Sequence, residues 1–319
     1  MKEQNSRINK SSEDFNFVIL GFTISETFLN LVPCTLYLIL ILQVMTPVFK
    51  IGNSEELNSS QAVLLMEIGE THCCFAILDY ANQMIVQSGC YTFNENESTD
   101  ILQKVLQQHK ELKNSFRQIV IGYYLPENIL IPSKFYRYEE TQTLLQAMYE
   151  KGQNIVVSEA VPKWQLHNAY HVPAAIHQLV NRSFATGNFW HIHSIILKNG
   201  IEEHDGGNLI IDFKTDSFCV IAIKNNSVLF AQIFPYVKAE DILYWLLNIC
   251  KQFSLAQTEV KLVLSGLIEK KSAVFKELYQ YFLNIEFASG EDDIRLSGDF
   301  YEYPAHFFSS LFKLALCVS

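Results

Sequence analysis

The sequence predicts an α/β protein made of two similar lobes that face a central cleft. One observation is an internal repeat, since residues 62–93 and 208–237 share three strand-like apolar runs separated by short polar breaks. A second is that the first run ends in an acidic residue in both copies, Glu67 and Asp212. A third is that a helical segment and then an apolar strand follow each copy, at 98–112 and 118–121, and at 238–253 and 261–264. Such a duplicated unit is typical of a two-lobed α/β fold.

The first lobe begins with two buried strands. Residues 62–68 and 73–78 are continuous apolar runs, and residues 84–93 predict a third, antiparallel strand. The helix that follows carries its apolar residues on one face, which indicates packing against the sheet. After the strand at 118–123, we expect a helix over 139–149 and the last strand of the lobe at 155–157.

The segment between the repeats has no counterpart in the first copy. It predicts a helix over 172–184 and a strand over 191–197. On a strand, His191 and His193 would share one face and could offer two metal ligands, but no third ligand stands at a fixed spacing. Ordinary packing explains them, and no metal site is predicted.

The second lobe ends in an aromatic-rich segment. Its long helix from residue 238 is strongly apolar, and a helix over 271–282 and a final strand at 285–287 follow. Residues 304–316 predict a last helix that packs against the body. These patterns place lobe one at 61–160, a connecting segment at 161–207 and lobe two at 208–319.

At the two acidic strand ends, the chain resembles the actin-like ATPases, a group that includes actin, sugar kinases, heat-shock ATPases and the pilus protein PilM. Glu67 and Asp212 stand where that group carries its two Asp-x-Gly phosphate loops, and residues 262–267 stand where it carries its Gly-Gly adenosine loop. More narrowly, residues 209–283 and 303–317 resemble a Bacteroidota family catalogued as domain of unknown function 3822. The resemblance covers about residues 60–318. It implies a ribonuclease H-like, duplicated actin-like fold and no established activity.

All three ligand loops depart from the pattern of the group. In the first, Gly69 is kept but Glu67 replaces aspartate and Glu70 adds negative charge where a phosphate would lie. In the second, Asp212 is kept and the glycine is replaced by Lys214. At strand spacing Lys214 shares a face with Asp212 and could pair with it. It could also contact phosphate, but we prefer to interpret it as a surface lysine.

In the third loop, Ser265 and Gly266 remain, but Leu267 replaces the second glycine and would crowd a purine. Each change weakens a nucleotide site. We therefore interpret six residues as vestigial nucleotide loops, those at 67, 69, 212, 214, 265 and 266. No catalytic residue is predicted. No cofactor is expected, neither ATP nor magnesium.

The function expected from these loops is a non-catalytic actin-like scaffold or protein-binding module, a pseudo-ATPase whose partners are proteins. One alternative is an ATP-binding or ATP-hydrolysing protein with altered loops, which the retained Gly69, Asp212 and Gly266 favour. A second alternative is a membrane-anchored structural protein whose lobes oligomerise. Glu159 and Glu269 have no identifiable partner and are expected to be solvated.

The N-terminal region, residues 1–60, is predicted to be a hydrophobic extension that ends in a polar linker. Residues 27–49 carry no charge and are long enough to cross a bilayer as a helix. Two other interpretations remain open: an extension from an upstream start codon that is not part of the folded protein, and a cleaved signal peptide, which the length disfavours. The expected location is the membrane if the start is genuine, and the cytoplasm otherwise.

The composition argues against several classes of protein. A net charge of −10 without a basic run argues against nucleic-acid binding. A hydrophobic content of 49% excludes disorder for most of the chain. The seven cysteines show neither CxxC spacing nor a disulfide framework, and are expected to be buried free thiols.

Overall fold

The structure is a computed structural model that forms two compact units, Met1–Met45 and Thr46–Ser319. It describes residues 17–19, 22–24, 46–53, 57–58, 60–93, 98–149, 152–290 and 293–318. The described part of the first unit is an antiparallel strand pair, β1 (Phe17–Ile19) and β2 (Phe22–Ile24). The second unit contains both lobes.

The predicted membrane helix at 27–49 falls largely outside the described residues. Its last four residues lie in strand β3 (Thr46–Gly52), so they are not helical as predicted. Among the described residues, no helix combines the length and apolarity needed to cross a membrane.

Lobe one is built on a sheet whose central strand is buried on both faces. β4 (Ala62–Gly69) has no exposed residue, which explains its continuous apolar run. It pairs antiparallel with β5, which pairs with β6, and parallel with β7, which pairs with β11. β3 is antiparallel and β17 parallel to the outer strand β6. The bounds are β5 (His72–Asp79), β6 (Met84–Thr92), β7 (Gln118–Tyr124), β11 (Asn188–His191) and β17 (Arg295–Leu296).

Lobe two repeats this strand order. Its sheet runs β14-β13-β12-β15-β16, as lobe one runs β6-β5-β4-β7-β11, with antiparallel and parallel pairs at the same places. The predicted duplication is therefore confirmed. The bounds are β12 (Asn208–Phe213), β13 (Ser217–Lys224), β14 (Ser227–Pro235), β15 (Lys261–Gly266) and β16 (Asn284–Phe287).

Corresponding helices follow the third strand of each lobe, α1 (Ser98–Gln108) and α5 (Ala239–Gln252). In lobe two, α6 (Ala273–Tyr281) packs beside α5 over the same face of the sheet, and Ser272 caps it by accepting from the Phe275 N–H at 3.1 Å.

Two short helices exchange lobes. α4 (Ile192–Lys198) follows the last strand of lobe one, yet its Ile192 and Ile196 pack in a cluster with Ile210 and Ile221 of lobe two. α7 (Ser309–Ala315) follows lobe two, yet its Leu311 packs in a cluster with the central strand of lobe one. Each helix thus packs in an apolar cluster with residues of the other lobe, and these contacts hold the two lobes together.

An insertion separates β7 from β11. It holds a three-stranded sheet of order β8-β10-β9 and two helices. The bounds are β8 (Asn128–Pro132), α2 (Tyr138–Met148), β9 (Asn154–Val161), β10 (Leu166–Pro173) and α3 (Ala174–Ser183). The strand predicted at 155–157 thus lies in this small sheet and not in the main sheet, whose fifth strand is β11.

The strand predicted at 191–197 is wrong, because residues 192–198 form α4. The domain bounds also differ from the prediction. The unit begins at Thr46 rather than at residue 61, β11 of the predicted connecting segment belongs to lobe one, and the chain returns to lobe one after residue 293.

Ile51 of β3 is only 5% exposed and packs in the lobe-one core. A substitution at this residue therefore tests whether β3 is part of the fold. Ile51→Val should lower the free energy of unfolding by about 1 kcal/mol in urea titrations. The exposed neighbour Lys50, changed to Gln, should stay within about 0.5 kcal/mol of wild type. Equal effects of the two changes would mean that the fold does not include this strand.

The cysteines depart from the expectation of free thiols. Cys74 and Cys90 lie opposite each other on β5 and β6 and form a disulfide. Cys73, the other member of the adjacent pair, points to the opposite face and is a buried free thiol, as are Cys219 and Cys250. Burial first, and then the Glu67 carboxylate, raise the pKa of Cys73 to about 12.

Candidate functional site

Two hairpin turns of the repeat meet at the interface of the lobes. Glu70 and Thr71 connect β4 to β5, and residues 214–216 connect β12 to β13. The Thr71 hydroxyl donates to Asp216 Oδ1 at 3.0 Å, and these two residues are 145 positions apart, the offset of the duplication itself. Equivalent positions of the two copies are therefore in direct contact across the cleft.

The ammonium of Lys214 lies between the two acidic strand ends. Its Nζ is 2.6 Å from Glu67 Oε1 and 2.8 Å from Asp212 Oδ2. A third contact runs to Ser310 Oγ at 3.5 Å, from α7. All three contacts are made with oxygen atoms, which can accept from an ammonium.

This charge cluster is buried. Glu67 is 0%, Asp212 3% and Lys214 6% exposed, so the preferred interpretation of Lys214 as a surface lysine is wrong. The pairing of Lys214 with Asp212 that strand spacing predicted is present. Sequence reasoning missed Glu67 as the second partner, because it lies in the other lobe.

Burial and the neighbouring charges act on the ionisation of the cluster in opposite directions. Burial by itself would raise the pKa of Glu67, but Lys214 and then His72 lower it to about 2. Burial would lower the pKa of Lys214, but Asp212 and Glu67 hold it above its usual range. Glu67 is therefore a carboxylate and Lys214 an ammonium at neutral pH.

Neighbouring side chains fix the two carboxylates. His72 Nε2 lies 3.0 Å from Glu67 Oε1, and the His72 ring packs edge-on against Tyr124 with centroids 5.0 Å apart. Ser265 donates its hydroxyl to Asp212 Oδ1 at 2.8 Å. Ser265 thus acts as a support for the buried aspartate.

The two retained glycines have internal structural roles. A Cβ on Gly266 would lie 2.2 Å from the carbonyl oxygen of Phe213, and the residue has φ +77°. A Cβ on Gly69 would lie 2.5 Å from the imidazole ring of His72. The close approach of the protein's own groups therefore accounts for both glycines.

The structure brings four of the six predicted site residues together: Glu67, Asp212, Lys214 and Ser265. Gly69 and Gly266 lie next to them and determine how closely the neighbouring groups approach. The partners that the sequence did not reveal are His72, Thr71, Asp216 and Ser310. The repeat offset could have identified the Thr71–Asp216 pair, since a two-fold related fold places equivalent turns face to face.

The other candidates are two histidines and Glu159. His191 and His193 are fully buried, and burial lowers the pKa of both. Across the described ranges, no group of three metal-ligating side chains is present. Glu159, expected to be solvated, accepts a hydrogen bond from the His191 N–H at 2.8 Å, and burial raises its pKa to about 7.

The chain is similar in structure to proteins with an actin-like ATPase fold. A Bacteroides thetaiotaomicron protein of actin-like ATPase fold and unknown function superimposes with a TM-score of 0.66 at 17% identity, covering 83% of this chain and 99% of that chain. A chain of the PilM–PilN type IV pilus biogenesis complex gives a TM-score of 0.54 at 10% identity, covering 80% and 98%. At these identities the comparison shows the fold alone.

No curated protein matches the chain in sequence. A family match is present, however, and it spans both lobes and the insertion. The family described as "Protein of unknown function (DUF3822)" matches residues 52–285, which is more than half of the 319-residue chain. The chain belongs to the DUF3822 family, and its fold is that of the actin-like ATPases.

Proposed function

We propose that this protein is a non-catalytic, actin-like module that binds a protein partner and no nucleotide. The observation that carries the proposal is the position of Lys214 Nζ between Glu67 and Asp212. In the actin-like ATPases, which the chain resembles, carboxylates at these strand ends position magnesium and its waters. Here the ammonium of Lys214 lies between them in place of a cation from solution, so the residues present do not fit a magnesium–nucleotide complex.

The turns themselves also argue against a polyphosphate. The Thr71–Asp216 hydrogen bond joins the two turns at the place where phosphates would enter. Glu70 and Asp216 add two carboxylates at this mouth, and like charges repel phosphate oxygens. The retained glycines do not favour the ATP-binding alternative, because their internal contacts explain them.

Exposed apolar side chains on the insertion support a protein partner. Phe135 is 64%, Tyr138 53% and Met148 56% exposed, on or just before α2. Solvent-facing groups of large apolar side chains are common at protein-binding surfaces. PilM, which has a similar fold, forms a complex with PilN. A fold of this kind can therefore serve assembly.

A thermal-shift assay separates this proposal from the ATP-binding alternative. With about 5 mM Mg·ATP, any site with a Kd below about 50 μM would stabilise the native state by at least about 2.7 kcal/mol. We expect no rise in Tm for the wild-type chain. A rise in Tm that disappears in Asp212→Ala would instead establish a nucleotide site at the cleft.

A further inference from the structure

One edge strand of the insertion has no partner along its outer side. β9 is the last strand of the small sheet, which runs β8-β10-β9, and it pairs antiparallel with β10 over all eight of its residues. Among the described residues, no strand lies along its other side. Residues 154–159 are half-buried and Ala160 is exposed, as expected at the rim of a sheet.

The other edge strands of the second unit carry features that hinder pairing with another chain. Such features are a short length, a proline, a lysine or a bulge. In the part of this unit that the structure describes, β14 has a bulge and ends in Pro235, and β3 contains Pro47 and Lys50. β8 has five residues and ends in Pro132, while β11, β16 and β17 have four residues or fewer.

β9 has none of these features. Its sequence, NIVVSEAV, contains no proline, lysine or arginine, and its pairing with β10 runs without a register shift. Its one charged side chain, Glu159, is directed towards lobe one, where Oε1 accepts a hydrogen bond from the His191 N–H at 2.8 Å. β9 therefore offers an uncharged, regular edge about 26 Å long to another strand.

The distribution of charge indicates that a second copy of the chain can cover this edge. The chain has a net charge of −10, which opposes self-association at most of its surface. The insertion between β7 and β11, residues 125–187, differs because it contains five glutamates, no aspartate, and five lysines or arginines. It is therefore neutral, so two copies can approach insertion to insertion with little repulsion.

We propose that β9 pairs antiparallel with β9 of a second copy, so that the two small sheets join into one sheet of six strands. Two identical strands paired in this way are related by a two-fold axis, so the contact closes a dimer and does not propagate. In a register centred on Val157, Glu159 lies opposite Ile155 of the second copy, and like charges do not meet. This inference goes beyond the proposed function, because it concerns self-association.

The size of the interface sets the expected affinity. Stable dimers bury at least about 1,200 Å² in total, and one strand of eight residues covers only part of that area. Phe135, which is 64% exposed, adds apolar area near the edge, because the hydroxyl of its neighbour Tyr136 is hydrogen-bonded to Ser158 of β9. We therefore expect a weak dimer with a Kd of about 10 μM.

Sedimentation velocity of the full chain tests the proposal over a concentration range of about a hundredfold around that Kd. Ala160→Lys should raise the dimer Kd at least about tenfold, because a lysine on an edge strand hinders strand pairing. Ala81→Lys is the matched control, since it makes the same change at an exposed alanine in the turn between β5 and β6. It should leave the Kd unchanged.

Hydrogen exchange of the backbone amides locates the contact. The amides of residues 154–161 should exchange more slowly as the wild-type concentration rises, and this change should be absent in Ala160→Lys. A chain that stays monomeric throughout would overturn the proposal. Equal dimerisation of the two lysine variants would overturn it too, by placing the contact elsewhere. Slow exchange that is independent of concentration would instead assign the edge to a segment of the same chain.

The dimer and the proposed function can fail separately. A rise in Tm with Mg·ATP would overturn the proposed function and leave the pairing of β9 standing. A monomeric chain without nucleotide binding would overturn only the dimer.

Discussion

Changing Lys214 to Met should lower the free energy of unfolding by about 3–5 kcal/mol, because it leaves two buried carboxylates without a counter-charge. Methionine keeps most of the side-chain volume, so the loss reports charge rather than packing. Urea unfolding at pH 7 measures the effect. Such a loss is a large fraction of the stability of an ordinary domain.

Lys261 offers a matched control for this substitution. Its Nζ lies 2.8 Å from Glu286 Oε2, the same length as the Lys214–Asp212 contact, but Glu286 is 62% exposed. Lys261→Met should cost about 1 kcal/mol or less, as exposed ion pairs do. If the two lysine substitutions cost the same, the cluster at Lys214 is not buried as the structure has it.

A variant without the three charges tests how much the ion cluster itself contributes to the stability of the protein. Glu67→Gln and Asp212→Asn, combined with Lys214→Met, remove all three charges at nearly constant volume. This triple variant should recover most of the stability lost in Lys214→Met, because a buried ion pair contributes little net stability compared with neutral groups. A triple variant that is less stable than Lys214→Met would contradict that account.

The effect of Lys214→Met should also depend on pH in a defined direction. In the folded protein the pKa of Glu67 is about 2, against an ordinary 4.5, so its contribution is complete above pH 4.5 and is lost as pH falls towards 2. Without Lys214, burial favours the protonated acid. The difference between wild type and variant should therefore shrink from pH 7 to pH 3.

The sequence predicted the strands of the two repeats better than the segments that connect them. The repeat of apolar runs located β4 to β7 and β12 to β15, because strands buried on both faces leave a continuous apolar signal. The fifth strand of lobe one, Asn188–His191, is short and half-buried, so it has no such signal. Its parallel pairing with β7, a long-range contact, is what makes it part of the sheet.

The helix α4 shows a different limit. Six of its seven residues, from Ile192 to Leu197, are buried. A helix that is buried on every side has no polar face, so the 3.6-residue period is absent and the run cannot be distinguished from a strand. Its helical form follows from its tertiary position between the lobes, which local sequence does not encode.

The candidate site could be located from the sequence but not described. Strand spacing places Lys214 beside Asp212, a local relationship that the sequence contains. The contact of Lys214 with Glu67 and that of Thr71 with Asp216 cross the lobes, so they depend on how closely the two sheets approach. The distance between the two sheets depends in turn on α4 and α7. The sequence does not show which apolar residues these two helices contact.

Gly266→Ala should lower the free energy of unfolding by about 3–5 kcal/mol, combining the strain of a left-handed backbone with a clash that side-chain motion cannot relieve. The added Cβ would lie 2.2 Å from the oxygen and 2.7 Å from the nitrogen of Phe213, both backbone atoms of the paired strand β12. Either β12 or β15 must move, and Asp212 and Ser265 would lose their alignment. Urea unfolding without ligand measures the loss.

Two other glycines calibrate the effect of Gly266→Ala. Gly298→Ala should stay within about 0.5 kcal/mol of wild type, because nothing lies within 4 Å of its added Cβ. Gly69→Ala should fall between the two, since its Cβ meets the His72 ring, which can shift where backbone cannot. If Gly266 were kept only for a nucleotide, Gly266→Ala would resemble Gly298→Ala in the unliganded protein. A loss of several kcal/mol without ligand would instead show that the glycine serves the packing of the two strands, as the structure indicates.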